Sequence, residues 1–251
     1  MKVKILNDSR KLGEAAARAA ADILNQAIAA RGRARLVLST GASQFDTLQA
    51  LVQMKVAWDK VEMFHLDEYV GLSQSHPASF RKYLQERFIN QVHPGKVFLV
   101  DGEGDYRKNI RDLTQAIIEE PVDVAIVGIG ENAHIAFNDP PADFATKESY
   151  IVVKLDDDCK RQQVREGWFS HTDTVPQEAI SMTVHQIMAS KVIISPVPYD
   201  VKAKAIRAMF DHDVTPTVPA TILKKHPQFL LLLDEKSASL LDPDILANYE
   251  G

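Results

Sequence analysis

Two short segments of this chain carry side chains suited to moving protons. In FHLDEYVGL, residues 64–72, the neighbouring carboxyls of Asp67 and Glu68 follow an apolar run at 61–66. In GIGENAHIAFNDP, residues 128–140, His134 stands between Asn132 and Asp139 after a second apolar run at 122–127. Imidazole transfers protons near neutral pH without adjustment, and a carboxyl does so once it is partly removed from water. Apolar runs of this length read as buried strands, and the C-terminal ends of parallel strands open into the ligand crevice of an α/β sheet. Asp67 at one strand end and His134 at another therefore predict a proton-transfer site. Gly128 and Gly130 permit close backbone approach there, and Asp139 is placed to hold the imidazole in one tautomer.

A third segment, STGAS at 39–43, lies between an apolar stretch and a helical pattern. Small residues at such a junction let backbone N–H groups approach an oxyanion, and the Thr40 and Ser43 hydroxyls add donors. The loop is neither a Walker sequence nor GxGxxG. The eight histidines and the acidic residues show no HExxH or comparable ligand spacing, so no metal is expected. GxSxG is absent and Cys159 has no base beside it in sequence, which leaves nucleophilic hydrolysis without support.

The elements that must position these residues alternate. Strands are expected at 3–6, 34–39, 61–66, 97–100 and 122–127, separated by an alanine-rich helix capped by Ser9, a helix from about 44 or 45, a helix after Pro77 and one over 106–118. The segment following Leu66 reads as a loop. The second half is less regular: a strand at 150–155, helices at 157–168, 184–189 and 201–210, a turn at 216–219 and strands at 192–195 and 229–233. Repeated βα units in 251 residues without a composition shift predict one doubly wound α/β domain spanning residues 1–251.

Charge and cysteine usage narrow the setting. A net charge of −5 gives no reason to expect nucleic acid or an anionic membrane surface as partner. The single cysteine cannot form an internal disulfide, the N-terminal segment lacks the apolar core of a signal peptide, and the apolar run at 229–233 is too short to cross a bilayer. A cytoplasmic enzyme is expected.

The same segments, in order, resemble the signature segments of the glucosamine-6-phosphate deaminase (isomerase) family, which converts an aldose 2-amino sugar phosphate into a ketose phosphate and ammonia. The resemblance implies a Rossmann-like, mostly parallel sheet, no cofactor, a phosphosugar as small-molecule partner, and either a monomer or a homo-oligomer. It makes Asp67 the general base that moves a proton between C2 and C1, with Glu68 beside it in the substrate site, orienting its neighbours. His134 becomes the residue that opens the pyranose ring, flanked by Asn132 and Asp139. Thr40, Gly41, Ala42 and Ser43 become substrate-binding residues. CKRQQVREGWF at 159–169 and VPYDVKAKAI at 197–206 resemble the remaining phosphate-binding parts. Lys202 matches the phosphate lysine, and Arg161 or Arg165 supplies a guanidinium, with spacing alone leaving both open. Lys204 reads as a solvated charge; Trp168 and Phe169 read as packing.

This chain departs from well-known members of the family at three places. They carry aspartate two residues before the histidine and glutamate five after it, where this chain has Asn132 and Asp139, and Ala133 replaces a usual glycine. A retuned but active site is expected. The alternatives are a 6-phosphogluconolactonase-type hydrolase, against which AHIAFNDP speaks because such lactonases read GHTASLFP there, and a phosphosugar-binding module without turnover. Allosteric members bind an acetylated sugar phosphate through serines and a cationic cluster. Those positions fall near Ala142, Asp143, Ser149, Ile151 and Val152 here, so no such activation is expected.

Overall fold

The computed structural model describes residues 1–242. Strand β1 (Lys2–Leu6) leads into α1 (Ser9–Arg31). The cap of α1 is Asp8, one residue earlier than expected: its backbone is extended and its carboxylate accepts the Lys11 N–H at 2.7 Å. Gly32, at φ 77°, ends the helix in the left-handed conformation that glycine adopts without strain. Gly13 lets α1 press onto the next helix, since a Cβ there would lie 2.6 Å from the Asp46 backbone.

Next come β2 (Ala34–Leu38), α2 (Phe45–Leu51), β3 (Val61–His65) and β4 (Asp67–Tyr69). They are followed by α3 (Phe80–Leu84), a π-turn (Gln85–Ile89) and a last short turn α4 (Asn90–Val92). Then follow β5 (Lys96–Phe98), α5 (Tyr106–Ile118), β6 (Val124–Ile126), β7 (Tyr150–Lys154) and α6 (Asp157–Arg165). The described chain closes with β8 (Glu178–Met182), α7 (Val184–Met188), β9 (Val192–Val197), α8 (Ala203–Asp211) and β10 (Phe229–Asp234).

Among the described residues, seven strands form one wholly parallel sheet in the order β1-β10-β9-β6-β2-β3-β5. Apolar side chains fill both of its faces: Phe64, Val37 and Ala125 face one layer, and Met63, Leu36, Leu38 and Val124 the other. Burial on both sides is why these strands read as continuous apolar runs. From β2 the chain winds outward through β3 and β5, then returns to lay β6 on the opposite side of β2 and continues through β9 to β10. The order reverses between β2 and β6, so their C-terminal loops part and leave a crevice.

The expected fold class holds, with one correction. Residues 67–69 are not loop but the edge of a second, antiparallel sheet in the order β4-β8-β7, and β7 belongs to this sheet rather than to the parallel one. In the structure β7 is buried at Tyr150 and exposed or half-exposed thereafter, as in a sheet with one wet face, which the unbroken apolar run at 150–153 does not announce. The small sheet closes over an aromatic cluster in which Tyr69 meets Phe80, Phe137 and Phe169 at ring separations of 5.1–5.5 Å. Among the described residues, no helix is long and apolar enough to cross a membrane.

Candidate active site

The crevice holds a cleft of about 310 Å³, lined by the loops after β2 and β6, by Asp67, by the end of α6 and by Lys202. After β2, the Ser39 N–H donates to Ile126 O at 3.0 Å, which ties the first loop to β6. Gly41 then adopts φ 98°, a conformation that side chains resist. Its carbonyl is drawn away by two donors, the Gln44 N–H at 3.0 Å and the Tyr83 hydroxyl at 2.9 Å. Thr40, Gly41, Ala42 and Ser43 all line the cleft, as expected of an anion cradle.

The loop after β6 builds the imidazole site. The His134 N–H donates to Asn132 Oδ1 at 3.0 Å, and Asn138 Nδ2 donates to Ile135 O and Met182 O at 2.8 Å each, fastening the loop to β8. A backbone N–H can only donate, so the amide atom facing it is the oxygen of Asn132. The same oxygen lies 2.7 Å from His134 Nδ1, and Asp139 Oδ1 lies 3.1 Å from it. Facing two acceptors, Nδ1 carries the proton and Nε2 is left as the base. Asn132 Nδ2 donates to Asp139 Oδ1 at 3.1 Å and closes the triangle. Burial alone would raise the Asp139 carboxyl, but hydrogen bonds from His134 and Asn132 outweigh it and hold the group below its ordinary value. Gly130 makes room for the ring: a Cβ there would lie 2.2 Å from His134 Cε1.

Asp67 enters from the other sheet, opposite Ser181 of β8. That hydroxyl also accepts the Phe137 N–H at 3.0 Å, so one serine registers both halves of the site. Burial pushes the Asp67 carboxyl up to about 8, with the neighbouring Glu68 charge adding to the rise. A carboxyl so placed takes up a proton readily and still ionises near working pH.

The structure corrects two of the expected substrate contacts. Glu68 points away from the cleft and is 0% exposed. Its carboxyl receives the N–H groups of Tyr69, Phe80 and Arg81 at 2.9–3.2 Å, the Ser79 hydroxyl at 2.8 Å and the Arg81 guanidinium at 3.3 Å. With its acceptor capacity taken, Glu68 anchors the chain that follows β4 instead of meeting a ligand. Consecutive strand residues face opposite ways, so only one of the two carboxyls can reach the cleft. Arg161 is also outside, exposed and paired with Asp158 one turn earlier on α6. Arg165 lines the cleft, paired with Glu131.

Lys202 stands where the resemblance implied, in the short turn before α8. Lys202 is only 6% exposed, and its ammonium forms no hydrogen bond or ion pair among the described residues although the side chain lines the cleft. Burial lowers its ammonium pKa, while Glu166 and Glu131 work in the opposite direction. Among the polar cleft residues, Glu131, Gln162, Gln163, Glu166 and Tyr199 are not singled out by the sequence. The two glutamines lie in a helix so polar that its wet and buried faces cannot be told apart by pattern. Phe169 packs in the aromatic cluster as expected, and Trp168 packs against the same cluster while also lining the cleft. Lys204 is exposed. Cys159 is buried on α6, and burial raises its thiol, which argues against a nucleophile. Among the described residues no group of three His, Cys, Asp or Glu side chains is arranged to hold a metal.

Comparison with known proteins places this arrangement in context. A family model described as glucosamine-6-phosphate isomerases/6-phosphogluconolactonase matches residues 7–231. A glucosamine-6-phosphate deaminase of Lactobacillus delbrueckii subsp. bulgaricus is 34% identical over 244 residues, covering 96% of this chain and 100% of its own. One from Oenococcus oeni is 32% identical over 242 residues, covering 96% and 99%. Among solved structures, a monomeric glucosamine-6-phosphate deaminase superposes with a TM-score of 0.87 at 28% identity, covering 96% of this chain and all of that one. A 6-phosphogluconolactonase from Shewanella baltica reaches a TM-score of 0.78 over 93% and 97% of the two chains, but at 18% identity it shares the fold alone. With a model match across most of its length and full-length relatives above 30% identity, the chain belongs to the glucosamine-6-phosphate isomerase/6-phosphogluconolactonase family.

Proposed function

We propose that this protein is an amino-sugar-phosphate deaminase that converts glucosamine 6-phosphate and water into fructose 6-phosphate and ammonia. The observation that carries this reading is the convergence of three groups on one cleft: a buried cation without a partner at Lys202, a raised carboxyl at Asp67 and an imidazole with Nε2 free to act at His134. The unpaired ammonium fits a phosphate, with the loop at Thr40–Ser43 supplying further donors. His134 Nε2 takes the proton of the anomeric hydroxyl and returns it to the ring oxygen, which breaks the C1–O5 bond and exposes the aldehyde. Asp67 then removes the C2 proton while the aldehyde oxygen takes a proton from the C2 ammonium, giving an enolamine, and Asp67 delivers its proton to C1, leaving an iminium at C2. Water adds to that carbon and ammonia departs, giving the ketose.

Asn132 and Asp139 act on this sequence through the ring of His134. The amide fixes the tautomer, and the carboxylate stabilises the imidazolium formed during ring opening. A buried, unpaired cysteine agrees with action in the reducing cytoplasm. Release of ammonia and ketose phosphate should be measured with glucosamine, galactosamine and mannosamine 6-phosphates, with 6-phosphogluconolactone as control. Turnover of the glucosamine ester in excess of the others supports the proposal. Hydrolysis of the lactone without deamination of any amino sugar would replace it with the lactonase reading that the fold also accommodates.

A further inference from the structure

Two cations line the cleft, and their situations differ. Lys202 is buried and unpaired, whereas the Arg165 side chain is 58% exposed and its guanidinium is already engaged by the carboxylate of Glu131, a side chain 24% exposed. Glu131 also lines the cleft, so its charge faces whatever anion arrives beside Arg165. A guanidinium offers its full fork to a phosphate only when no other carboxylate occupies one edge. Arg165 lies at the last turn of α6 and Glu131 in the loop after β6, so their pairing joins the two walls of the cleft.

We propose that Glu131 sets the affinity of this enzyme for phosphosugars by competing with the ligand's phosphate for Arg165. The proposal rests on reading the cleft as a phosphosugar site. Substrate and ketose product carry the same phosphate, so the competition weakens both and favours release of product. An orienting role, in which Glu131 holds Arg165 ready and strengthens binding, predicts the opposite sign. Competition follows from the charges, because a carboxylate beside the phosphate position repels a dianion as well as occupying its partner.

The test is a calorimetric titration with inorganic phosphate and with fructose 6-phosphate, using the wild type, Glu131→Gln, Arg165→Ala and the double variant. Glu131→Gln is expected to tighten both ligands about threefold to tenfold, the scale of a partly exposed ion pair together with a removed like charge. The gain should vanish in the Arg165→Ala background. Unchanged or weaker binding in Glu131→Gln would overturn the proposal, and so would equal tightening in both backgrounds, which would mark a general field acting on Lys202. Glu131→Ala serves as a second variant, expected to tighten binding in the same sense. If neither the wild type nor Glu131→Gln binds either ligand, the phosphosugar reading itself fails and carries this proposal with it.

Discussion

At the residue scale, Asp67 is a buried carboxyl held in its proton-accepting range by its surroundings. Asparagine is nearly isosteric but cannot accept the C2 proton, so Asp67→Asn should lower kcat by about a hundredfold to ten-thousandfold while phosphosugar binding, read by calorimetry, stays close to wild type. The elevated carboxyl also fixes the pH response. Only the ionised form is a base, so kcat/KM should fall about tenfold per pH unit below roughly 8, near the value burial gives Asp67. Stability moves in the opposite sense. A carboxyl raised in the folded state contributes fully below its unfolded value, and that contribution is lost as the pH rises through about 8, so urea midpoints should fall across this window in the wild type and less in Asp67→Asn. Near-normal turnover in the variant would remove Asp67 from the mechanism. Ala133 stores strain within the imidazole loop. It sits at φ 66°, in the left-handed region where a Cβ is strained. Ala133→Gly should raise unfolding stability by about 1 kcal/mol in urea titrations. A loss of stability would mean that the methyl's packing outweighs the strain.

At the scale of elements, the anion loop depends on a helix that never enters the chemistry. The Tyr83 hydroxyl on α3 donates to the Gly41 carbonyl, while its ring stacks on Phe45 of α2 at 5.6 Å beneath the Arg87 guanidinium. Removing the hydroxyl alone frees the carbonyl to rotate without disturbing the stack. Tyr83→Phe should therefore raise KM for the phosphosugar about fivefold to tenfold, the worth of a net hydrogen bond, with kcat little changed. Equal losses in kcat and KM, or a wild-type KM, would show that the loop holds its shape without this bond. The buried hub of Glu68 and Arg81 plays a comparable part for β4: Arg81 reaches on to Asp101, to Glu103 at 2.9 Å and to Leu72 O at 2.7 Å, binding the surrounding loops together.

At the scale of the whole molecule, the two sheets bring Asp67 and His134, the two groups proposed to move protons, to one cleft within a single chain. Regulation by an acetylated sugar phosphate would require a second anion site. Ser149 is buried and spends its hydroxyl on Gln186 at 2.9 Å, Asp143 turns its carboxylate to the N–H groups of Ala145 and Thr146, and Ala142, Ile151 and Val152 offer no donor side chains. An effector with no differential contacts cannot shift an equilibrium between conformations. Substrate saturation should be hyperbolic, and N-acetylglucosamine 6-phosphate should leave it unchanged. Sigmoidal kinetics that this sugar converts to hyperbolic would reveal an effector site elsewhere.

What the sequence determined by itself is what local order can encode. Buried parallel strands announce themselves as apolar runs because both faces are covered, so β2, β3 and β6 and the loops they carry were legible. The His134 triangle was legible too, since Asn132, His134 and Asp139 lie within one loop whose short reach brings them together. Tertiary structure decided the rest, because burial is a property of the assembled chain. Only pairing with residues 179–181 makes a strand of residues 67–69, and that pairing turns Asp67 inward while enclosing Glu68. Only the seating of α6 against the cleft separates Arg165 from Arg161, two arginines with the same local chemistry, and brings Glu131 to one of them.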